Sequence, residues 1–160
     1  MTLIFEEPAD FATALPAMTC LLGLDLGEKT IGVAVSDIIR SVATPRDTIK
    51  RKKFGIDADQ LEAMLDQTAA SGMVLGLPRN MDGTEGPRCQ STRAFARNIT
   101  ARRPVPILLW DERLSTVAAE RALLEADTSR KKRAELIDAV AASYILQGAL
   151  DRLRHLQQDG

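Results

Sequence analysis

The chain has 160 residues, 45% of them hydrophobic, with 21 basic against 22 acidic side chains and one histidine, for a formal net charge of −1. That length suits one domain with a real core, and the near-neutral balance decides nothing about partners, since a local basic face can still bind nucleic acid. No stretch approaches the roughly 18 apolar residues that span a bilayer, and Cys20 and Cys89 stand far apart without the spacing of a zinc site or a disulfide scaffold. A soluble protein of the cytoplasm, with no membrane partner, is the expectation.

Residues 1–19 hold Pro8, Pro16, Glu6, Glu7 and Asp10 and no basic residue. They read as an N-terminal extension outside or draped over the main fold, leaving 20–160 as one domain. Leu21 to Leu26 and Ile31 to Val35 are apolar and β-branched runs separated by a glycine-bearing turn, which predicts a hairpin. Asp25 is the exception inside it, because a charge in a buried strand is costly unless it is paired or ligated. A turn-forming role is the competing explanation.

Ser41 to Lys53 predicts a third strand at an edge, since Pro45 is tolerated there. It ends in Lys50-Arg51-Lys52-Lys53, which reads as a solvated loop. Leu61, Met64, Leu65 and Ala69 predict a helix over Ile56 to Ala70. Met73 to Leu77 is a short buried strand, and Asp82-Gly83 marks a turn in the polar loop that follows. Arg88 to Arg103 predicts a helix, and Val105 to Trp110 a fifth strand running into Asp111-Glu112-Arg113. Ser115 can cap a helix over Thr116 to Ala126, and a last long helix runs from about Lys131 to Leu156. The order predicts an α/β domain with a mixed sheet covered on both faces.

Two further acids repeat the anomaly of Asp25. Asp138 falls on the apolar stripe of the last helix with Ala142, Ile145, Ala149 and Leu153, about two turns in, beyond the reach of the helix dipole. Glu112 follows an apolar strand and by alternation shares a face with Trp110 and Leu108; a salt bridge to Arg113 is the alternative, with poor geometry. Three such acids suit a hard cation, Mg²⁺ or Mn²⁺, rather than zinc, and a pair of such ions can drive phosphodiester hydrolysis.

Arg130-Lys131-Lys132-Arg133 opens the last helix against its own dipole, so helix stability does not explain it. Phosphate contacts are one explanation and a solvated charge run the other. Arg79 and Arg88 flank the Asp82-Gly83 loop and Arg113 follows Glu112, which makes these three candidate phosphate clamps.

Gly23-Leu24-Asp25-Leu26-Gly27 with Ile31-Gly32-Val33-Ala34-Val35-Ser36-Asp37 resembles the opening of the YqgF/RuvX family of Holliday-junction resolvase-like and pre-16S rRNA nucleases. Val74 to Pro78 with Met81-Asp82-Gly83, then Trp110 to Thr116, then Asp138 to Ala142 with Ile145-Leu146 follow in family order, over roughly residues 21–150. The resemblance implies an RNase H-like fold with a five-stranded mixed sheet flanked by helices, its first three strands antiparallel. It also implies that Asp25, Glu112 and Asp138 ligate the metals of a nuclease acting in 5′-end processing of pre-16S rRNA, with ribosomal precursor particles as partners. Family members commonly carry a basic residue where this chain has Thr30, although Lys29 remains to meet a phosphate. Asp82 and Asp111 are weaker acids, read as a turn former and a structural acid. Branched DNA is the alternative substrate to structured RNA, and monomer and homodimer both stay open. An actin-like ATPase half and a non-catalytic nucleic-acid-binding assembly factor are the rival functions.

Overall fold

The computed structural model describes residues 2–114 and 130–159. Its elements are β1 (Ile4–Phe5), α1 (Pro8–Thr13), β2 (Leu21–Leu26), β3 (Thr30–Ser36), β4 (Ala43–Lys50), α2 (Phe54–Thr68), β5 (Gly72–Leu77), α3 (Pro87–Arg102), β6 (Ile107–Asp111), a 3₁₀ turn (Glu112–Leu114) and α4 (Arg130–Asp159). The helix expected after Ser115 lies outside the described residues.

The sheet has six strands in the order β1-β6-β5-β2-β3-β4, not the five expected. The added strand comes from the N-terminal segment, where Ile4 and Phe5 pair in parallel with Ile107 and Leu108. Behind it Phe11 of α1 is fully buried. A two-residue strand has too little alternation to be recognised from sequence, and Pro8 and the acids around it obscure the apolar pair. The antiparallel β2-β3-β4 half is as expected. β4 is an edge, and a register shift opposite Val33/Ala34 accompanies Pro45, which has no N–H to give to the ladder.

Alternation sorts the strands between two cores. Leu22, Leu24, Ile31, Val33, Met73, Leu75, Ile107 and Leu109 join α2 and α3 residues such as Leu61, Leu65, Phe95 and Ile99 on one face. Leu21, Ala34, Val74, Leu108 and Trp110 meet Ala141, Ala142, Ile145, Leu146 and Ala149 of α4 on the other. Full burial of a side chain such as Ile145 contributes about 1.5–3 kcal/mol. The small residues at 141, 142 and 149 let α4 lie close against the sheet. Gly23, Gly32 and Gly76 supply matching space on the strands, each with α4 or Glu112 where a Cβ would go.

Candidate active site and basic cleft

Asp25 is next to last in β2, on the face that Leu21 presents to α4, and is 6% exposed. Its ladder partner in β3 is Gly32. On the other side Leu24 pairs with Leu75 of β5, so one further step along the parallel ladder sets Asp25 beside Gly76. These two glycines place the other two acids. A Cβ on Gly32 would collide with the backbone carbonyl of Asp138, so α4 crosses the sheet directly over that residue. A Cβ on Gly76 would collide with Oε1 of Glu112 and with Cδ1 of Ile145 at 2.6 Å, so the Glu112 side chain folds over that glycine on the α4 face.

Asp25, Glu112 and Asp138, far apart in sequence, thus share the same end and the same face of the sheet. Thr30 Oγ1 donates a 2.5 Å hydrogen bond to Asp138 Oδ2. Among the described residues no three His, Cys, Asp or Glu side chains are gathered into a ready ion cage. The donor set consists of carboxylate oxygens without sulfur or imidazole, and by that chemistry it fits Mg²⁺ or Mn²⁺.

The cations divide into two groups. Arg79 and Arg113 are engaged by acids. Arg113 Nη2 lies 2.7 Å from Asp111 Oδ2, and Arg79 reaches Glu6 at 3.2 Å, Glu85 at 3.6 Å and Asp111 at 3.8 Å. Arg113 holds the Asp111 carboxyl below its ordinary range, with the N–H of the same residue and Arg79 adding to the effect. Asp82 accepts from both the backbone N–H and the hydroxyl of Thr84, which makes it a turn former.

Arg88 and Lys29 are different. Lys29 is exposed in the β2–β3 turn, and Arg88 is exposed at the start of α3. Arg88 lines a cleft of about 490 Å³ together with Leu26, Gly27, Glu28, Arg51, Lys52 and Ser91. Arg130, Lys131 and Lys132 occupy the first turn of α4, and their side chains fall outside the described residues.

Sequence reasoning passed over two residues. Thr30 was noted only for the base it lacks, and its bond to Asp138 spans 108 positions, which no local pattern carries. Arg51 was absorbed into a solvated basic run. Its Nη1 donates to the Gly27 carbonyl at 2.6 Å, and its guanidinium lies 6.0 Å from the Phe95 ring centroid. Nothing in the run Lys50-Arg51-Lys52-Lys53 singles it out; only its place directly after β4, opposite the hairpin turn, does so once the strands are in position.

The architecture is that of solved Holliday junction resolvases. Thermus thermophilus RuvC superposes with a TM-score of 0.54 at 13% identity, over 86% of this chain and 97% of that one. The yeast mitochondrial Holliday junction resolvase gives 0.50 at 12% identity, over 93% and 86%. Identities this low speak for fold alone, and they define an RNase H-like α/β domain; here one acid is near the end of β2, one directly follows β6 and one lies within α4.

The model of the family described as "RuvX: Holliday junction resolvase" matches residues 19–152, and this chain belongs to that family. A Ruegeria pomeroyi protein named "Putative pre-16S rRNA nuclease" is 68% identical over 154 residues, 96% of this chain and 100% of its own length. A Paracoccus denitrificans protein of the same name is 66% identical over 154 residues, 96% and 98% of the two chains.

Proposed function

We propose that this RuvX-family nuclease uses divalent cations, Mg²⁺ or Mn²⁺, to hydrolyse phosphodiester bonds in the 5′-end processing of pre-16S rRNA. The observation that carries the reading is the position of Asp25 between two glycines, with Asp138 over one and Glu112 over the other. Asp25, Glu112 and Asp138 would hold the cations. Such a cation, when bound, polarises the phosphate and provides a nucleophile from water at neutral pH.

The remaining roles belong to the chain itself. Thr30 orients the Asp138 carboxylate through its hydroxyl. Lys29, Arg88, Arg130, Lys131 and Lys132 position substrate phosphates. Arg79 and Arg113 act from within the Asp111 network, where a phosphate has to compete with carboxylates already in contact. Close packing of α4 over Gly32 excludes water from the buried side of Asp25.

The names of the curated relatives support pre-16S rRNA as substrate; with that substrate the protein would act in the cytoplasm on ribosomal precursor particles. Among the described residues no helix is long and apolar enough to cross a membrane. Branched DNA is the second reading, favoured by the family's description. The test offers labelled precursor RNA and a labelled four-way DNA junction to the wild type and to Asp25→Asn, Glu112→Gln and Asp138→Asn, with Mg²⁺ or Mn²⁺. Cleavage of the RNA alone by the wild type alone supports the first reading, and cleavage of the junction alone supports the second. Binding that survives all three substitutions, without cleavage by any form, replaces both with an assembly factor.

A further inference from the structure

On the opposite face of the hairpin from the three acids, three cations from two segments line one cleft. Arg51 and Lys52 come from the connection between β4 and α2, and Arg88 comes from the first turn of α3. Arg51 is anchored at both ends, its backbone N–H donating to the Lys29 carbonyl at 2.8 Å and its Nη1 to the Gly27 carbonyl. Lys52 is fixed through its backbone N–H, which donates to the buried Asp57 at 2.9 Å. The side chains of Lys52 and Arg88 are exposed into the cleft.

Among the described residues the cations of this cleft lack carboxylate partners, a state they share with other surface cations such as Arg46 and Arg97, but here three of them line one cavity. Arg79, Arg93, Arg102, Arg103 and Arg113 all pair with carboxylates. Among the described residues Arg51, Lys52 and Arg88 have no such ion pair, and the one acid lining the cleft is Glu28. Uncompensated cations that line one cleft favour an anion that enters between them.

We infer that this cleft is a docking groove for the phosphodiester backbone of the substrate strand, with Arg88 and Lys52 contacting phosphates and Arg51 bracing the turn beneath them. Position supports a strand over a free anion. The cleft begins at Leu26 and Gly27, which directly follow Asp25 in β2, so a strand leaving the groove round the hairpin turn heads for the end of the sheet where the acids lie. Among the described residues no aromatic side chain lines the groove, and its charged lining suits contacts to the backbone. The inference rests on the nuclease reading for the destination of the strand.

The test uses the full chain with a fluorescent RNA stem carrying a single-stranded 5′ tail, and the same design in DNA, in EDTA. Affinity is read by anisotropy across about 50–200 mM salt. Arg88→Ala and Lys52→Ala should each weaken binding regardless of sequence and lower the salt slope by about 1. Arg88→Lys should restore the slope. Arg46→Ala, on β4 and bonded to Gln67, should leave it unchanged. Wild-type affinity and slope in the Arg88→Ala/Lys52→Ala double variant would overturn the groove while leaving the nuclease reading intact. Weak binding by that double variant, beside full cleavage by Asp25→Asn, would uphold the groove and refute the assignment of the acids.

Discussion

Thr30 Oγ1 and Asp138 Oδ2 are 2.5 Å apart, a hydrogen bond that ties the first residue of β3 to the helix crossing it. An ionised carboxylate can only accept, so the hydroxyl donates and fixes one oxygen of Asp138. Thr30→Val keeps the β-branched shape and removes the donor. Loss of such a supporting contact costs about 10–100-fold in metal affinity or activity, with little change in fold. Titration of Mn²⁺ by calorimetry, alongside cleavage rates, checks it; unchanged affinity and rate would remove Thr30 from the site.

Gly32 has no room for a side chain. Ala at that position meets the backbone carbonyl of Asp138, which cannot rotate away as the end of a side chain can. Forcing α4 off the sheet should cost about 1–3 kcal/mol in urea unfolding, and activity should fall as Asp138 moves. Gly55→Ala is the control, since a Cβ there meets only Arg102 Nη1, at 3.9 Å, and α2 gains helix propensity.

The ion pair between Glu85, just before α3, and Arg93 on that helix is one that acid should release. Arg93 Nη2 lies 2.6 Å from Glu85 and 2.8 Å from Glu6. Arg93, and to a lesser extent Arg79, hold the Glu85 carboxyl below its ordinary range. A depressed carboxylate pKa contributes stability that is fully present above the unfolded value of about 4.3 and is lost as the pH falls through the folded value. Unfolding midpoints of wild type and Glu85→Gln should therefore differ at neutral pH and converge in acid. A difference that persists at the lowest pH would show that the effect is not ionic.

Much of this arrangement was legible in the sequence, because alternation and helical spacing report which face a residue takes. Asp25, Glu112 and Asp138 stood out as charges on apolar faces, and the structure puts all three on the α4 side of the sheet. Ile4–Phe5 was too short for any period to emerge. Arg79 and Arg113 were read from their closeness to the loop, which says nothing of the acids they would meet; Glu6 is remote in sequence from Arg79. Arg51 belonged to a run of four cations, and only the fold distinguishes the one that turns inward to the Gly27 carbonyl.

The most direct test of the central claim compares wild type and Asp25→Asn on 5′-extended 16S precursor RNA with Mg²⁺ or Mn²⁺, measuring cleavage and binding on the same samples. The account predicts metal-dependent cleavage by the wild type, lost in Asp25→Asn, with RNA affinity retained. Equal cleavage by the two proteins would contradict it.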